Sequence, residues 1–238
     1  MRILSRIKNN IVNSLVGTYA PFALRTFFNT IAYVQFTEIK KSASFLEKHL
    51  KDVALFDNKK GGYWNFCMNS VIENQCEGLW LEFGVRDGIS AEFFAKYASE
   101  FAIDRRLYGF DSFEGIKDSW SSVNEPKGSF SRQGKVPSKI PNCDFIVGWI
   151  EDTLEPFLNS HTERISFIHF DLDVYSPTKF ALSRIVDKLH VGAIVLFDEF
   201  HGYPGWEFNE KKALEETLDP LRYKFIAFSR KQAAIQIL

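Results

Sequence analysis

The chain has 238 residues, of which 45% are hydrophobic and 25% are charged, and its formal net charge is −1. This length fits one domain of the larger sort with an ample core. The balanced charge gives no overall field that would attract nucleic acid, so we expect a small molecule or a glycan as the partner. The three cysteines, Cys67, Cys76 and Cys143, lack zinc-like spacing and predict a reducing, cytoplasmic location.

The first part of the chain, residues 1–62, shows helical periodicity and few strand signals. Ile3, Ile7, Ile11 and Leu15 recur every four positions and predict an amphipathic helix. Polar residues interrupt the apolar runs, so neither a signal peptide nor a membrane-spanning helix is predicted. We interpret this part as a helical extension that contacts the domain or a second subunit of a homo-oligomer. The alternative is a basic helix on a membrane surface.

The second part, residues 63–238, alternates short apolar runs with helical stretches, which is the pattern of βαβ units. Five parallel strands are predicted in turn, at residues 79–83, 106–110, 145–147, 165–170 and 192–197. A polar stretch from residue 115 to about 142 is long for a plain connection and is interpreted as a lid.

Two further strand-like runs stand at the C-terminus, Tyr223–Ser229 and Ala233–Leu238. Only Arg230–Gln232 separate them, so they can pair only as an antiparallel hairpin. The predicted fold is therefore α/β, a doubly wound Rossmann-like sheet that is mostly parallel and ends in an antiparallel hairpin. This mixed sheet is typical of methyltransferases rather than dehydrogenases.

A glycine turn follows the first predicted strand. Gly84 and Gly88 have the spacing Gly-x-x-x-Gly and not the G-x-G-x-x-G of a dinucleotide site. Gly84 would let backbone approach a ligand, Gly88 would permit entry into the next helix, and Ser90 is predicted as its N-cap. Asp111, at the end of the second strand, could accept bonds from ribose hydroxyls, and Glu82 could hold a methionine ammonium. We predict nucleoside binding; the alternative is a structural turn.

Acidic residues follow the fourth and fifth predicted strands. If these strands are neighbours, Asp171, Asp198 and Glu199 would converge and repel one another unless a hard divalent cation such as Mg²⁺ bound there. Alternation along the strand would turn Asp173 to the same side as Asp171, where it could act as a general base. The alternative is that these carboxylates only cap helices and loops.

Two histidines stand close to these carboxylates in the sequence. His201 could serve as a second base or support the site, although a loop histidine is usually only polar surface. His169 falls inside a buried strand and is interpreted as a core residue.

Five motifs occur in a fixed order: LEFGVRDGIS, YGFDSFEGI, VGWIEDTL, HFDLDVYSPT and VLFDEF. Together they resemble the macrocin and mycinamicin family of sugar O-methyltransferases over most of residues 79–200. The resemblance implies a class I methyltransferase fold, S-adenosylmethionine as methyl donor and Mg²⁺ in the active site. It places Asp171, Asp198 and Glu199 as metal ligands and Asp173 as the base.

The predicted site follows from the motifs and the resemblance together. The catalytic residues are Asp171, Asp173 and His201. The donor contacts are Glu82, Gly84, Val85, Gly88, Ser90, Asp111, Ser112, Gly148, Trp149, Ile150 and Asp171. Residues 148–150 would lie beside the adenine, with core packing as the alternative for Trp149.

The chain also departs from the family. Asp198-Glu199 replaces a pair of aspartates, and Gly202–Glu207 is interpreted as part of a different acceptor pocket. The predicted function is methyl transfer to a hydroxyl of a sugar or secondary metabolite. The alternatives are a metal-dependent hydroxylase on the same scaffold and a non-catalytic module that binds S-adenosylmethionine. The complete carboxylate set argues against such a module.

Overall fold

A computed structural model describes residues 22–57, 62–101 and 105–238, with side chains described from residue 35 onward in the first helix. The amphipathic helix predicted over residues 3–15 lies outside these ranges. The α-helices are α1 (Phe22–Glu47), α2 (Trp64–Glu73), α3 (Ile89–Glu100), α4 (Ile150–Ser160), α5 (Tyr175–Ile185) and α6 (Glu210–Glu215). The strands are β1 (Ala54–Phe56), β2 (Leu79–Phe83), β3 (Leu107–Asp111), β4 (Cys143–Val147), β5 (Ile165–Phe170), β6 (Leu189–Phe197), β7 (Tyr223–Ser229) and β8 (Gln232–Ile237).

The strands form one sheet in the order β1-β7-β8-β6-β5-β2-β3-β4. Only β8 runs antiparallel to its neighbours, which are β6 and β7. The predicted doubly wound, mostly parallel fold with a C-terminal hairpin is confirmed. Because β8 is antiparallel to both β6 and β7, strand β7 runs in the same direction as β6. The turn that joins β7 to β8 therefore lies at the side of the sheet where β5 and β6 end.

The central strands β2 and β5 are buried along their whole length, because helices cover both faces of the sheet. On one face α4 and α5 contribute Leu154, Phe157 and Leu182 to a core cluster with the strands. On the other face α2 and α3 contribute Trp64 and Phe94 to a second cluster. Each fully buried side chain of this size stabilises the fold by roughly 1.5–3 kcal/mol, so the sheet is a rigid support for the loops at its carboxyl edge.

Part of the predicted N-terminal extension packs on the domain. Strand β1 pairs in parallel with β7 and forms the edge of the sheet. Near the end of α1, the Phe45 ring lies 5.4 Å from the Trp206 ring and 5.8 Å from the Phe228 ring, measured between centroids. Residues 45–56 are therefore continuous with the core. The division at residue 62 and the subunit contacts of the extension stay predictions.

None of the helices in the described part of the chain is long and apolar enough to cross a membrane. The three cysteines are buried and free.

Candidate active site

A cavity of about 420 Å³ opens at the carboxyl ends of the central strands. Doubly wound sheets bind their ligands at this edge, and the volume is in the usual range for a small-molecule site. Gly84, Asp111, Asp171 and Asp198, which follow or end β2, β3, β5 and β6, all line it. The predicted convergence of these strand ends is present in the structure.

Asp111 organises one end of the cavity. Its Oδ2 accepts hydrogen bonds from the backbone N–H groups of Val85 at 2.8 Å and Arg86 at 2.7 Å. Its Oδ1 accepts the N–H of Phe113 at 2.7 Å. An ionised carboxylate offers about four acceptor positions, so these three bonds leave one for a ligand hydroxyl. The carboxylate is thus fixed in place and can still bind a ribose.

Each of the two glycines in the turn is required for a different structural reason. Gly84 has φ +89°, and a Cβ there would collide with the carbonyl oxygen of Asp171. Glycine is therefore required because the ends of β2 and β5 approach closely, not only because a ligand does. Gly88 has φ +77° and is the N-cap of α3, so the predicted N-cap at Ser90 is wrong: Ser90 is the second residue of the helix.

The structure divides the predicted donor residues into two groups. Those that line the cavity are Gly84, Asp111, Ser112, Gly148, Trp149, Ile150 and Asp171. Those that are not among its lining residues are Glu82, Val85, Gly88 and Ser90. Trp149 is only partly buried, and the Lys117 ammonium lies 5.5 Å from its ring centroid, so this indole belongs to the cavity wall and not to the core.

Glu82 is fully buried and bonds to a neighbouring strand. The Nδ1 of His169 donates to Glu82 Oε1 at 2.9 Å. The predicted contact of Glu82 with a ligand ammonium therefore has no support in this geometry, because the carboxylate lies behind the cavity wall and already has a partner.

Asp173 reaches the cavity by a different route from the predicted one. Strand β5 ends at Phe170, so strand alternation does not apply to the residues after it. Asp173 has φ +63°, and this left-handed turn brings it into the same cavity wall as Asp171. Burial, together with the negative charges of Glu199 and Asp198, raises the pKa of Asp173 to about 7. A carboxyl group with this pKa can exchange a proton near neutral pH.

The β7–β8 hairpin supplies two contacts to the acidic residues. Lys231 Nζ lies 3.2 Å from Glu199 Oε2, and the side-chain amide of Gln232 donates to Asp198 Oδ1. Lys231 also lines the cavity. Sequence reasoning missed both residues, since nothing in a short polar turn marks it as part of a site that is formed by strands more than thirty positions earlier.

The contact of His169 with the acidic residues is a second feature that the sequence did not predict. The residue is fully buried, as expected, and its Nε2 lies 3.5 Å from Asp198 Oδ1. Burial alone would lower the pKa of His169, but the nearby Asp198 and Glu82 carboxylates outweigh burial and raise it to about 9. His169, Asp171 and Asp198 each offer one ligand atom, and these three atoms lie within 4.8 Å of one another.

The predicted metal ligands are thus brought together only in part. Asp171 and Asp198 converge with His169, whereas the Glu199 carboxylate is outside this group and is paired with Lys231. Two carboxylate oxygens and a buried imidazole nitrogen fit a divalent cation, because each is a common ligand of such ions.

His201 does not reach the cavity, which corrects its predicted catalytic role. Only 3% of its surface is exposed, and its Nδ1 is hydrogen-bonded to Ser42 Oγ of α1 at 2.9 Å. Burial lowers the pKa of His201 to about 4, so the ring is neutral at physiological pH. This histidine attaches α1 to the domain.

The segment Gly202–Glu207 supports the cavity wall without lining it, in contrast to the predicted acceptor pocket. Tyr203 donates to the backbone carbonyl of Glu199 at 2.9 Å, and its ring packs edge-on against Trp120 at 5.3 Å. Behind the same wall, Glu210 accepts the N–H of Glu199 at 3.0 Å, and burial raises its pKa well above the usual value.

The predicted lid forms one side of the cavity. Its lining residues are Gly115, Ile116, Lys117, Trp120, Val123, Glu125 and Phe130. Backbone hydrogen bonds from Gly128 to Ile116, and from Ile116 to Ser129, fold the segment back on itself. This side is largely apolar and aromatic, whereas Asp171, Asp173, Asp198 and Glu199 make another part of the lining acidic.

A family profile described as a methyltransferase domain matches residues 81–200, which include the lid and the ends of β2, β3, β5 and β6. The chain belongs to this methyltransferase family. The resemblance predicted from the five sequence motifs is thereby confirmed, and the cavity is the candidate active site of a methyltransferase domain.

Two curated relatives are similar to part of the chain. One is 8-demethyl-8-(2,3-dimethoxy-alpha-L-rhamnosyl)-tetracenomycin-C 4'-O-methyltransferase of Streptomyces olivaceus, 25% identical over 57% of this chain and 58% of its own length. The other is demethyldecarbamoylnovobiocin O-methyltransferase of Streptomyces niveus, 25% identical over 67% of this chain and 63% of its own length. The methyltransferase chain thus spans about three fifths of the length of these relatives.

Two solved structures share the fold of this chain. CalS11, a calicheamicin methyltransferase, has 23% identity and a TM-score of 0.58 over 72% of this chain and 77% of its own. The O-methyltransferase NovP has 22% identity and a TM-score of 0.55 over 72% of this chain and 76% of its own.

Proposed function

We propose that this protein is an S-adenosylmethionine-dependent O-methyltransferase that acts, with a divalent cation, on a hydroxyl group of a sugar or of a glycosylated secondary metabolite. The observation that carries the proposal is the shared cavity. Asp111, a carboxylate with one acceptor position left, lines the same cavity as Asp171 and Asp198, in a chain of the methyltransferase family. The O-methyltransferase relatives support oxygen as the acceptor atom.

The donor end of the cavity fits an adenosine group. Asp111 would accept a ribose hydroxyl, and the Trp149 indole would lie against the adenine. When bound, S-adenosylmethionine supplies a methyl group on a sulfonium, which is electrophilic without further activation. The chain therefore needs only to align the donor with the acceptor and to exclude water, which can account for a large part of the rate.

The acidic end prepares the acceptor hydroxyl. Asp171 and Asp198 would hold a divalent cation, which supplies polarisation of the acceptor oxygen when it is bound. Asp173 lines the same wall and would take the hydroxyl proton as the oxygen attacks the methyl group. Mg²⁺ is the cation expected from the sequence.

The acceptor class is supported by the lid side of the cavity. Val123 and Phe130 offer apolar surface, and Lys117, Glu125 and Lys231 offer polar groups around it. Such a mixture suits a sugar, which has apolar faces and hydroxyl edges. The comparisons favour neither the hydroxylase nor the non-catalytic module.

The test has two steps, so that an unknown acceptor does not prevent a result. Calorimetry with S-adenosylhomocysteine, the demethylated product of the donor, measures donor binding without any acceptor. A panel of free sugars, nucleotide sugars and glycosylated aglycones is then incubated with isotopically labelled donor, and methylated products are identified by mass. We expect micromolar binding and transfer to an acceptor hydroxyl. No binding of the product would contradict the proposal.

A further inference from the structure

The inner end of the acidic wall contains a nitrogen atom that the proposed mechanism does not use. His169 and Asp171 alternate on β5 and the loop after it, and Asp198 follows β6, which pairs with β5 in register up to Phe170 and Phe197. One ligand atom from each of these three residues lies within 4.8 Å of the other two. The sheet therefore fixes a nitrogen and two carboxylates around one point.

The Nε2 atom of His169 has no hydrogen bond, although the residue is completely buried. Its closest carboxylate oxygen, Asp198 Oδ1, is 3.5 Å away, which is longer than a well-formed hydrogen bond. An unsatisfied polar atom in the interior is costly, so the structure is expected to provide it with a partner. A cation between His169, Asp171 and Asp198 is such a partner, and it would displace the proton that the neighbouring carboxylates stabilise on the ring.

The other nitrogen of the ring is held as in a metal-binding histidine. Nδ1 donates to Glu82 Oε1 at 2.9 Å, and Glu82 lies directly beside His169 in the β2–β5 register. A carboxylate on the far nitrogen fixes the tautomer and the orientation of a metal-binding imidazole and makes it a stronger ligand. Glu82, which the sequence assigns to the donor, would thus act on the cation site through His169.

Glu199 is held away from the same point. Its carboxylate pairs with Lys231 at 3.2 Å, and its backbone N–H donates to Glu210. Glu199 would have to break its salt bridge with Lys231 in order to bind a cation. His169 would give up only a proton, and its carboxylate neighbour Asp198 would remain in the site as a ligand.

We propose that His169, oriented by Glu82, is the nitrogen ligand of the cation site together with Asp171 and Asp198, that Glu199 is not a ligand, and that the site selects Mn²⁺ or a similar transition metal over Mg²⁺. An imidazole in the ligand set favours first-row transition metals, whereas Mg²⁺ prefers oxygen ligands alone. This inference identifies the cation of the function proposed above. It rests on that function only to explain what the cation site is for.

Pulsed electron paramagnetic resonance on the full chain with bound Mn²⁺ tests the ligand directly. We expect modulation from a directly coordinated ¹⁴N nucleus in the wild type, and its replacement by a ¹⁵N pattern when the histidines are labelled. The signal should vanish in His169→Gln. It should persist in His190→Gln, a matched control at the start of β6 and therefore at the opposite edge of the sheet. Bound Mn²⁺ without nitrogen coupling overturns the proposal.

Calorimetry with Mn²⁺ and Mg²⁺ separates the ligands from their neighbours. We expect His169→Gln to weaken Mn²⁺ binding by about 100-fold or more and Glu82→Gln by about 10-fold, with smaller changes for Mg²⁺. Glu199→Gln should change Mn²⁺ affinity by less than about threefold. If Glu199→Gln weakens binding as much as Asp171→Asn does, Glu199 is a ligand and the proposal is wrong. Because Glu82→Gln keeps a hydrogen-bond acceptor in place, it serves if His169→Gln does not fold.

Donor binding and methyl transfer are measured on the same samples. A protein that binds S-adenosylhomocysteine and transfers methyl groups but shows no nitrogen coupling contradicts only the assignment of His169. A protein that shows nitrogen coupling but neither binds nor uses the donor contradicts only the proposed function.

Discussion

The two ends of the cavity are built in different ways. At the donor end, Asp111 and Gly84 act through the backbone: one accepts three main-chain N–H groups, and the other allows two loops to approach closely. At the acidic end, side chains contact one another across the sheet, from Glu82 on β2 to Gln232 on β8. The donor end is thus a local loop structure, whereas the acidic end depends on which strands are neighbours.

The largest effect is expected when the acidic end is changed alone. Asp171→Ala should lower the rate of methyl transfer by about a thousandfold, since a group that prepares the acceptor oxygen contributes on this scale. Its affinity for S-adenosylhomocysteine should stay within about twofold of the wild type, because Asp111 and Trp149 are unchanged. Rates come from labelled donor and affinities from calorimetry. Surviving turnover would contradict the role of the acidic end, and lost donor binding would show that the two ends are not separable.

The backbone of the donor end is tested by Gly84→Ala. The new Cβ would meet the carbonyl oxygen of Asp171 at a residue with φ +89°, so we expect a loss of about 3 kcal/mol or more in the free energy of unfolding. Gly128→Ala is the matched control: its φ is +83°, but no atom lies within 4 Å of the new Cβ. It should cost about 1–2 kcal/mol from the backbone conformation alone. If the two variants lose the same free energy of unfolding in urea, the close approach of Asp171 does not explain why residue 84 is a glycine.

The side chain of the donor end is tested by Asp111→Asn. The amide replaces one acceptor oxygen by a donor, so at least one of the three backbone N–H groups loses its partner. We expect S-adenosylhomocysteine to bind about 10–100-fold more weakly, which corresponds to one or two lost charge-assisted bonds. Asp144→Asn, the same chemical change on β4 outside the cavity lining, should alter the affinity by less than about threefold. An unchanged affinity in Asp111→Asn would show that the adenosine group binds elsewhere.

The smallest effect is expected at His201, which lies outside both ends. His201→Gln should leave donor affinity unchanged and lower the free energy of unfolding by about 1 kcal/mol at pH 7.5, because the bond to Ser42 is lost. The pKa of His201 is about 4 in the folded protein, below its ordinary value of 6.5. The contribution of the neutral ring to the free energy of unfolding is therefore complete above pH 6.5 and is lost as the pH falls toward 4.

The difference in stability between wild type and His201→Gln should therefore shrink from pH 7.5 to pH 5 in urea unfolding. Ser42→Ala removes the same bond and leaves the histidine in place, so it serves as the control. A large fall in methyl transfer in His201→Gln with unchanged stability would restore the catalytic role that the sequence suggested.

The contrast between the two ends also explains what the sequence could predict. Strands β2 and β5 and the β7–β8 hairpin follow from apolar runs and loop length, and Gly84 and Asp111 follow from a local spacing. The roles of Lys231 and His169 could not be predicted, because they depend on the insertion of β8 beside β6 and on side-chain geometry. Asp173 was placed correctly for the wrong reason, since a left-handed turn and not strand alternation brings it to the cavity.

Strand β1 was missed for another reason. It has only three residues, it lies at the edge of the sheet, and its central Leu55 is 58% exposed. Such a strand carries too little alternation to stand out from the helical pattern around it. It becomes recognisable only when β7 is present to pair with it.

A crystal structure of the full chain with S-adenosylhomocysteine and Mn²⁺ would examine both ends of the cavity at once. Our account predicts that a ribose hydroxyl bonds to Asp111 and that the ion lies between Asp171 and Asp198. A nucleoside bound away from Asp111, or an ion that leaves both of these aspartates uncoordinated, would contradict it.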